Sequence, residues 1–147
     1  MLMRDKLRER FGFECTCSAC TRPLQDQQRS KERIREYLKF CNELPLHLNF
    51  GQPLPLLESL ERLTLSVRND GFEHDVGARA YDAFQICAVY SDKQAAKEWA
   101  ELLRDAYTIC KGGDCSAALE GAEWARDPTS WESWGMYGRS KLRGPVS

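Results

Sequence analysis

Asp92-Lys93-Gln94-Ala95-Ala96-Lys97-Glu98-Trp99-Ala100-Glu101-Leu102-Leu103-Arg104-Asp105-Ala106-Tyr107-Thr108-Ile109-Cys110 is the longest helical pattern in the chain that both its ends delimit. Apolar residues fall at 95, 96, 99, 102, 103, 106 and 109, a spacing of three and four that puts them on one helical face. Asp92 stands where a side-chain oxygen can cap the first turn, and Gly112-Gly113 ends the run. Charged residues fill the other face. The stretch reads as an amphipathic helix that needs a partner surface.

Its neighbours repeat the theme. Upstream, Asp75 to Tyr90 carries Val76, Ala80, Phe84, Cys87 and Ala88, and before it Pro55 to Val67 carries Leu56, Leu57, Leu60 and Leu63. Asn69-Asp70-Gly71 marks the turn between those two. Downstream, Asp114 to Ala125 is shorter and ends at Asp127-Pro128, with a last turn over Thr129 to Trp134. Gln25 to Leu44 repeats Ile34, Tyr37, Leu38 and Cys41, and Asn42 to Pro55, with Pro45, Gly51 and Pro53, reads as irregular chain. No useful strand pattern interrupts these segments. Consecutive helices on short links predict an all-α fold of antiparallel helical hairpins. Asp75 to Cys110 matches one tetratricopeptide-type unit in length. The expected division is a basic helix with a Cys segment over 1–24, a helical domain over 25–135 and a fraying polar tail over 136–147.

Composition limits the function classes. Of 147 residues, 42% are hydrophobic and 29% charged, values of a globular protein, and the formal net charge is -1. That balance gives no general attraction to nucleic acid or membrane. Residues 1–40 do hold ten Lys/Arg against six Asp/Glu, which a solvated helix face accounts for. No apolar run approaches the ~20 residues of a membrane span. Met1-Leu2-Met3 is followed at once by Arg4, Asp5 and Lys6, unlike a signal peptide, and the seven cysteines are an odd number. A reducing compartment, nucleus or cytoplasm, is expected.

The chemistry concentrates in Phe11-Gly12-Phe13-Glu14-Cys15-Thr16-Cys17-Ser18-Ala19-Cys20. Three thiols within six residues, separated by small Thr, Ser and Ala, suit tight turns about one soft-ligand metal ion. Cys15, Cys17 and Cys20 are therefore read as zinc ligands. A closed structural site takes four ligands, and no Cys or His follows for twenty residues; Cys41 and His47 come next. Cys41 belongs to a helical stripe, and Cys87 and Cys110 read as core fillers. His47 and His74 fall in no metal or triad spacing. Trp99, Trp124, Trp131 and Trp134 are more economically core residues than an aromatic cage.

Arg8-Glu9-Arg10-Phe11-Gly12-Phe13-Glu14-Cys15-Thr16-Cys17-Ser18-Ala19-Cys20 resembles the post-SET segment of SET-domain protein lysine methyltransferases, in particular the SET-and-MYND-like branch and its fungal relatives. That family more often has Tyr where this chain has Phe11. Trp99-Ala100-Glu101-Leu102, Lys111-Gly112-Gly113-Asp114 and Asp127-Pro128 with Trp134-Gly135 are similar to the ending of fungal members. The resemblance implies a structural zinc on Cys15, Cys17 and Cys20 with a fourth Cys from a SET core. It also implies that Phe13 lies beside the adenine of S-adenosylmethionine. The family's cofactor and catalytic segments lie upstream of this motif. The expectation is thus a C-terminal portion of such an enzyme, inactive by itself, associating with a SET core or a protein partner. The alternative is a helical interaction module with an incidental Cys cluster.

Overall fold

The computed structural model describes residues 3–47 and 52–146, with the side chains of 3 and 44–47 left aside. It contains seven α-helices among the described residues and no strand: α1 (Met3–Phe11), α2 (Ser18–Thr21), α3 (Leu24–His47), α4 (Pro53–Arg68), α5 (Glu73–Val89), α6 (Lys93–Lys111) and α7 (Ser116–Arg126). A short 3-10 turn, Pro128–Ser130, follows. The fold is all-α, as the periodicity predicts. From α3 onward each helix packs on the next in chain order, and the tightest pairs are α5 with α6 and α6 with α7.

The sequence explains where α6 begins and how it buries itself. Asp92 accepts a hydrogen bond from the Ala95 amide at 3.0 Å, which satisfies one of the first-turn donors. At the other end Gly112 takes φ 95°, a left-handed conformation that costs a side chain most, and its amide returns to the Thr108 carbonyl. Between them Ala95, Ala96, Trp99, Ala100, Leu103 and Ala106 are buried against α5 and α7. The stripe ends early, however: Ile109 is exposed, and so is Cys110, which corrects the reading of Cys110 as core. Cys87 is fully buried, as read.

Small residues set how closely the helices approach. A Cβ on Gly121 would lie 2.5 Å from Leu103 Cδ2 and 3.0 Å from the Arg104 amide nitrogen, so backbone as well as side chain blocks it. Gly121→Val is therefore expected to cost about 1–3 kcal/mol by prying α7 from α6, read as a lower urea midpoint in chemical denaturation. At Gly77 the obstacle is only the edge of the Tyr107 ring. Rings fill the larger gaps. Trp124 stacks on Phe84 with centroids 4.9 Å apart and on Tyr81 at 5.6 Å, and Trp131 meets Phe84 edge-on. These tryptophans pack on the core.

Two segments depart from expectation. The backbone of α3 continues through Pro45 to His47, where irregular chain is expected from Asn42 onward. Pro45 withholds the amide hydrogen that would reach the Cys41 carbonyl, yet Tyr37, Phe40 and Cys41 just upstream already pack on the cluster that holds Leu63 and Val67. Tyr37 also donates to Asp75 at 2.9 Å. Leu38 lies outside this contact and is exposed. Residues 48–51 and the His47 side chain lie outside the described residues.

The second departure is the C-terminal stretch. Where a fraying tail over 136–147 is expected, residues 135–146 form a strap across the bundle. The amides of Gly135, Tyr137 and Ser140 donate to the carbonyls of Ala88, Val89 and Tyr90 at the end of α5. Leu142 is buried, its amide donating to Asp92 Oδ2 at 2.6 Å. Trp99 Nε1 donates to the Arg143 carbonyl at 3.0 Å, and Arg143 pairs with Glu61. Carbonyls at the end of α5 and carboxylates on the bundle thus tie down a polar, Gly-containing segment.

Candidate metal centre

Backbone geometry gathers the three cysteines. Gly12 ends α1 at φ 70°, its amide bonded to the Arg8 carbonyl, and the chain then runs without regular structure to Cys17. Cys17 caps the single turn α2 with extended φ and ψ (-64°, 157°), and the amides of Cys20 and Thr21 both donate to its carbonyl at 3.0 Å. One helical turn puts Cys20 above Cys17 on the same side. The irregular chain before it brings Cys15 alongside. The three sulfurs lie within 4.8 Å of one another, and no other described residue joins them.

That separation tests the fit to zinc. A tetrahedral ion with Zn–S distances of about 2.3 Å sets its sulfurs roughly 3.8 Å apart, and the trio's separations of at most 4.8 Å lie near that value. The donor set is also right: three thiols, soft when ionised. Their protonation is uneven. The Cys17 thiol is lowered to about 7, first by the Cys20 amide that points at it and then by the neighbouring thiols. The Cys20 thiol is raised to about 11, first by sharing hydrogen bonds with Cys15 and Cys17. The cluster as a whole thus holds one thiolate more readily than two. The fit stands at three ligands of four among the described residues.

The trio is held to the bundle by one charged link. Arg22, two residues past Cys20, reaches Asp70 Oδ1 at 3.4 Å from the turn between α4 and α5, while its Nε donates to the Ala19 carbonyl at 3.1 Å. Arg33 of α3 makes two bonds to the same carboxylate, at 2.9 and 2.8 Å. Gln27 completes the clamp by donating to the carbonyls of Arg22 and Cys20. The Asp70 side chain is 1% exposed between its two guanidinium groups. On the far side Arg4 of α1 pairs with Glu14. Two of the N-terminal basic residues therefore face Asp70, and sequence reading missed this: Asn69-Asp70-Gly71 announces a turn, with no local sign of partners 37 and 48 residues away.

Asp70 has a pH consequence. The Arg33 hydrogen bonds hold its carboxyl below the ordinary value of 3.8. A depressed folded-state pKa contributes stability above the unfolded value, and that contribution disappears as pH falls through the folded value. Melting of the wild type is expected to lose this increment below about pH 4. Asp70→Asn should melt lower at neutral pH, with the difference narrowing in acid. A gap between the two proteins that stays constant across this range contradicts the link.

Other residues singled out by sequence lie apart. Phe13 is 49% exposed, two positions ahead of Cys15, and Phe11 is exposed beside it. Cys41 is near Arg79, whose guanidinium donates to its sulfur at 3.5 Å, so it belongs to the α3–α5 contact. His74 is edge-on to Tyr107 with centroids 5.6 Å apart. No helix of the described residues is long and apolar enough to cross a membrane. No family model, curated protein or solved structure matches the chain.

Proposed function

We propose that the chain is a helical protein-interaction module whose N-terminal end carries a three-thiolate zinc clip. The observation behind this reading is the trio itself, three sulfurs within 4.8 Å of one another on a segment outside the buried core. When bound, zinc draws the thiolates together and gives a segment with little core of its own a fixed shape. Cys15 and Cys20 supply ligands from either side of Cys17, the Arg22–Asp70 link holds that shape against α3, and the tetratricopeptide-like hairpins offer their clefts to a partner.

The test compares the full chain with the variant carrying Ser at positions 15, 17 and 20. About one zinc per wild-type chain and none in the variant is expected, with thermal melts of the α-helical signal that agree within about 2 °C. A variant whose helices melt with the loss of metal overturns the division into clip and module. Titration of isotopically labelled chain with basic, acidic and apolar peptide pools examines the module: amide shifts with at least one pool are expected, and silence with all three overturns it.

A second reading follows from the post-SET resemblance, supported by the three gathered sulfurs and by Phe13, exposed two positions ahead of Cys15. In it the trio is completed by a Cys of a SET core, and Phe13 forms part of an S-adenosylmethionine pocket that exists only in the complete domain. Supplying a SET core should then yield lysine methylation with the wild-type chain and none with the triple Ser variant. Equal activity with both chains refutes this reading.

A further inference from the structure

The three sulfurs of the N-terminal segment form an all-thiol set, with neither nitrogen nor carboxylate oxygen among its donors. Cys17 is exposed, Cys15 and Cys20 are half-buried, and the residues between them, Thr16, Ser18 and Ala19, are small and exposed. A small solute therefore reaches the sulfurs directly. The frame beneath them is hydrogen-bonded. The amides of Cys20 and Thr21 return to the Cys17 carbonyl, Arg22 holds the Ala19 carbonyl, and Gln27 holds those of Cys20 and Arg22. Once one sulfur has bound an ion, the other two are held near it, so the second and third bonds form within one chain. Cys41, Cys87, Cys110 and Cys115 belong to no such group among the described residues.

Such a set suits a second class of ligand. Zinc on three thiolates has a fourth tetrahedral position to fill with another donor. Trivalent arsenic makes three bonds, prefers sulfur to oxygen and keeps a lone pair in the remaining direction. Three thiols gathered at one point complete its shell by themselves. The exchange balances without an oxidant. Each As–O bond of arsenous acid, As(OH)3, gives way to an As–S bond, and each thiol proton leaves with a hydroxyl as water. Three waters are released for one tri-thiolate complex, and the arsenic stays trivalent.

We propose that Cys15, Cys17 and Cys20 form a binding site for trivalent arsenic, which they hold as one tri-thiolate complex in place of zinc. This rests on the clip reading in taking the three sulfurs as one ligand set, and it gives that set a second ligand class. The experiment incubates the reduced full-length chain with arsenous acid in excess glutathione, a monothiol that strips arsenic from isolated cysteines, and weighs the intact protein by native mass spectrometry. A gain of one arsenic with the loss of three hydrogens is expected for the wild type and for Cys110→Ser. Cys15→Ser, Cys17→Ser and Cys20→Ser should each bind about 100-fold more weakly, and the triple Ser variant not at all. Circular dichroism checks that each variant stays helical, as the position of the trio outside both buried clusters predicts. On zinc-loaded chain, a chromophoric chelator should report one zinc released for each arsenic bound. An adduct that loses fewer than three hydrogens, or that the triple Ser variant retains, overturns the proposal. Zinc bound without any arsenic adduct overturns it alone and leaves the zinc clip in place. An arsenic adduct on a chain that binds no zinc upholds it and overturns the zinc reading instead.

Discussion

Trp99→Ala is expected to lower stability by about 3–5 kcal/mol, a large share of the ~5–15 kcal/mol that holds a domain of this size. Two costs combine. Trp99 is 1% exposed within the cluster formed by α4 to α7, so removing the indole leaves a cavity bounded by helices already in contact. It also removes the donor that holds the Arg143 carbonyl, and with it one anchor of the strap. Circular dichroism in urea should show a markedly lower midpoint, and hydrogen exchange should show faster amides over 142–146. Trp99→Phe keeps most of the volume and loses the donor, so its loss should be nearer 1–2 kcal/mol with the same loosening of the strap. Equal exchange at 142–146 in all three proteins would mean that the indole does not anchor the strap.

Cys17→Ser is expected to have the largest effect on metal affinity. Altering a supporting group around a metal typically costs ~10–100-fold, and loss of a ligand from a set of three costs more. Cys17 is also the thiol that the Cys20 amide turns toward the thiolate, so the variant removes a ligand that ionises more readily than Cys20. Competition with a chromophoric chelator measures the change. Helical content should stay at its wild-type value, because the trio stands outside both buried clusters. Cys110→Ser is the matched control: an exposed thiol on the last turn of α6, away from the trio, whose removal should leave the affinity unchanged.

Much of the bundle was legible because helical periodicity is a local signal. The Asp92 cap, the Gly112 stop and the alternation of alanines with rings around Trp99 follow from spacing alone, and α5, α6 and α7 formed where that spacing put them. What spacing does not carry is the identity of long-range partners. Residues 136–146 look unanchored in sequence because their anchors are the Glu61 carboxylate, the Asp92 carboxylate and the end of α5. Cys110 shows the complementary failure: its position fits the buried stripe, yet its thiol is exposed at the last turn of α6.

The Cys segment was legible to a different degree. C-x-C-x-x-C spacing announced three sulfurs near one point, and they do lie there. The link through Arg22, Asp70 and Arg33 was not announced, since it joins three segments that only the tertiary fold brings together. It matters for function because it attaches the trio to α3 without making it part of the core. Removal of Asp70 should detach the segment from the turn between α4 and α5, leaving its Gln27 contacts, without scattering the sulfurs, whose approach is set by the backbone from Gly12 to Thr21.

The central claim is that Cys15, Cys17 and Cys20 act together as the metal-binding clip of a helical bundle. Cobalt substitution of the full-length chain, followed by visible and near-ultraviolet absorption, tests it most directly. The account predicts thiolate-to-cobalt charge-transfer bands with the intensity of three sulfurs, lost in the triple Ser variant and kept in Cys110→Ser. A spectrum without those bands, or one that the triple Ser variant reproduces, would contradict it.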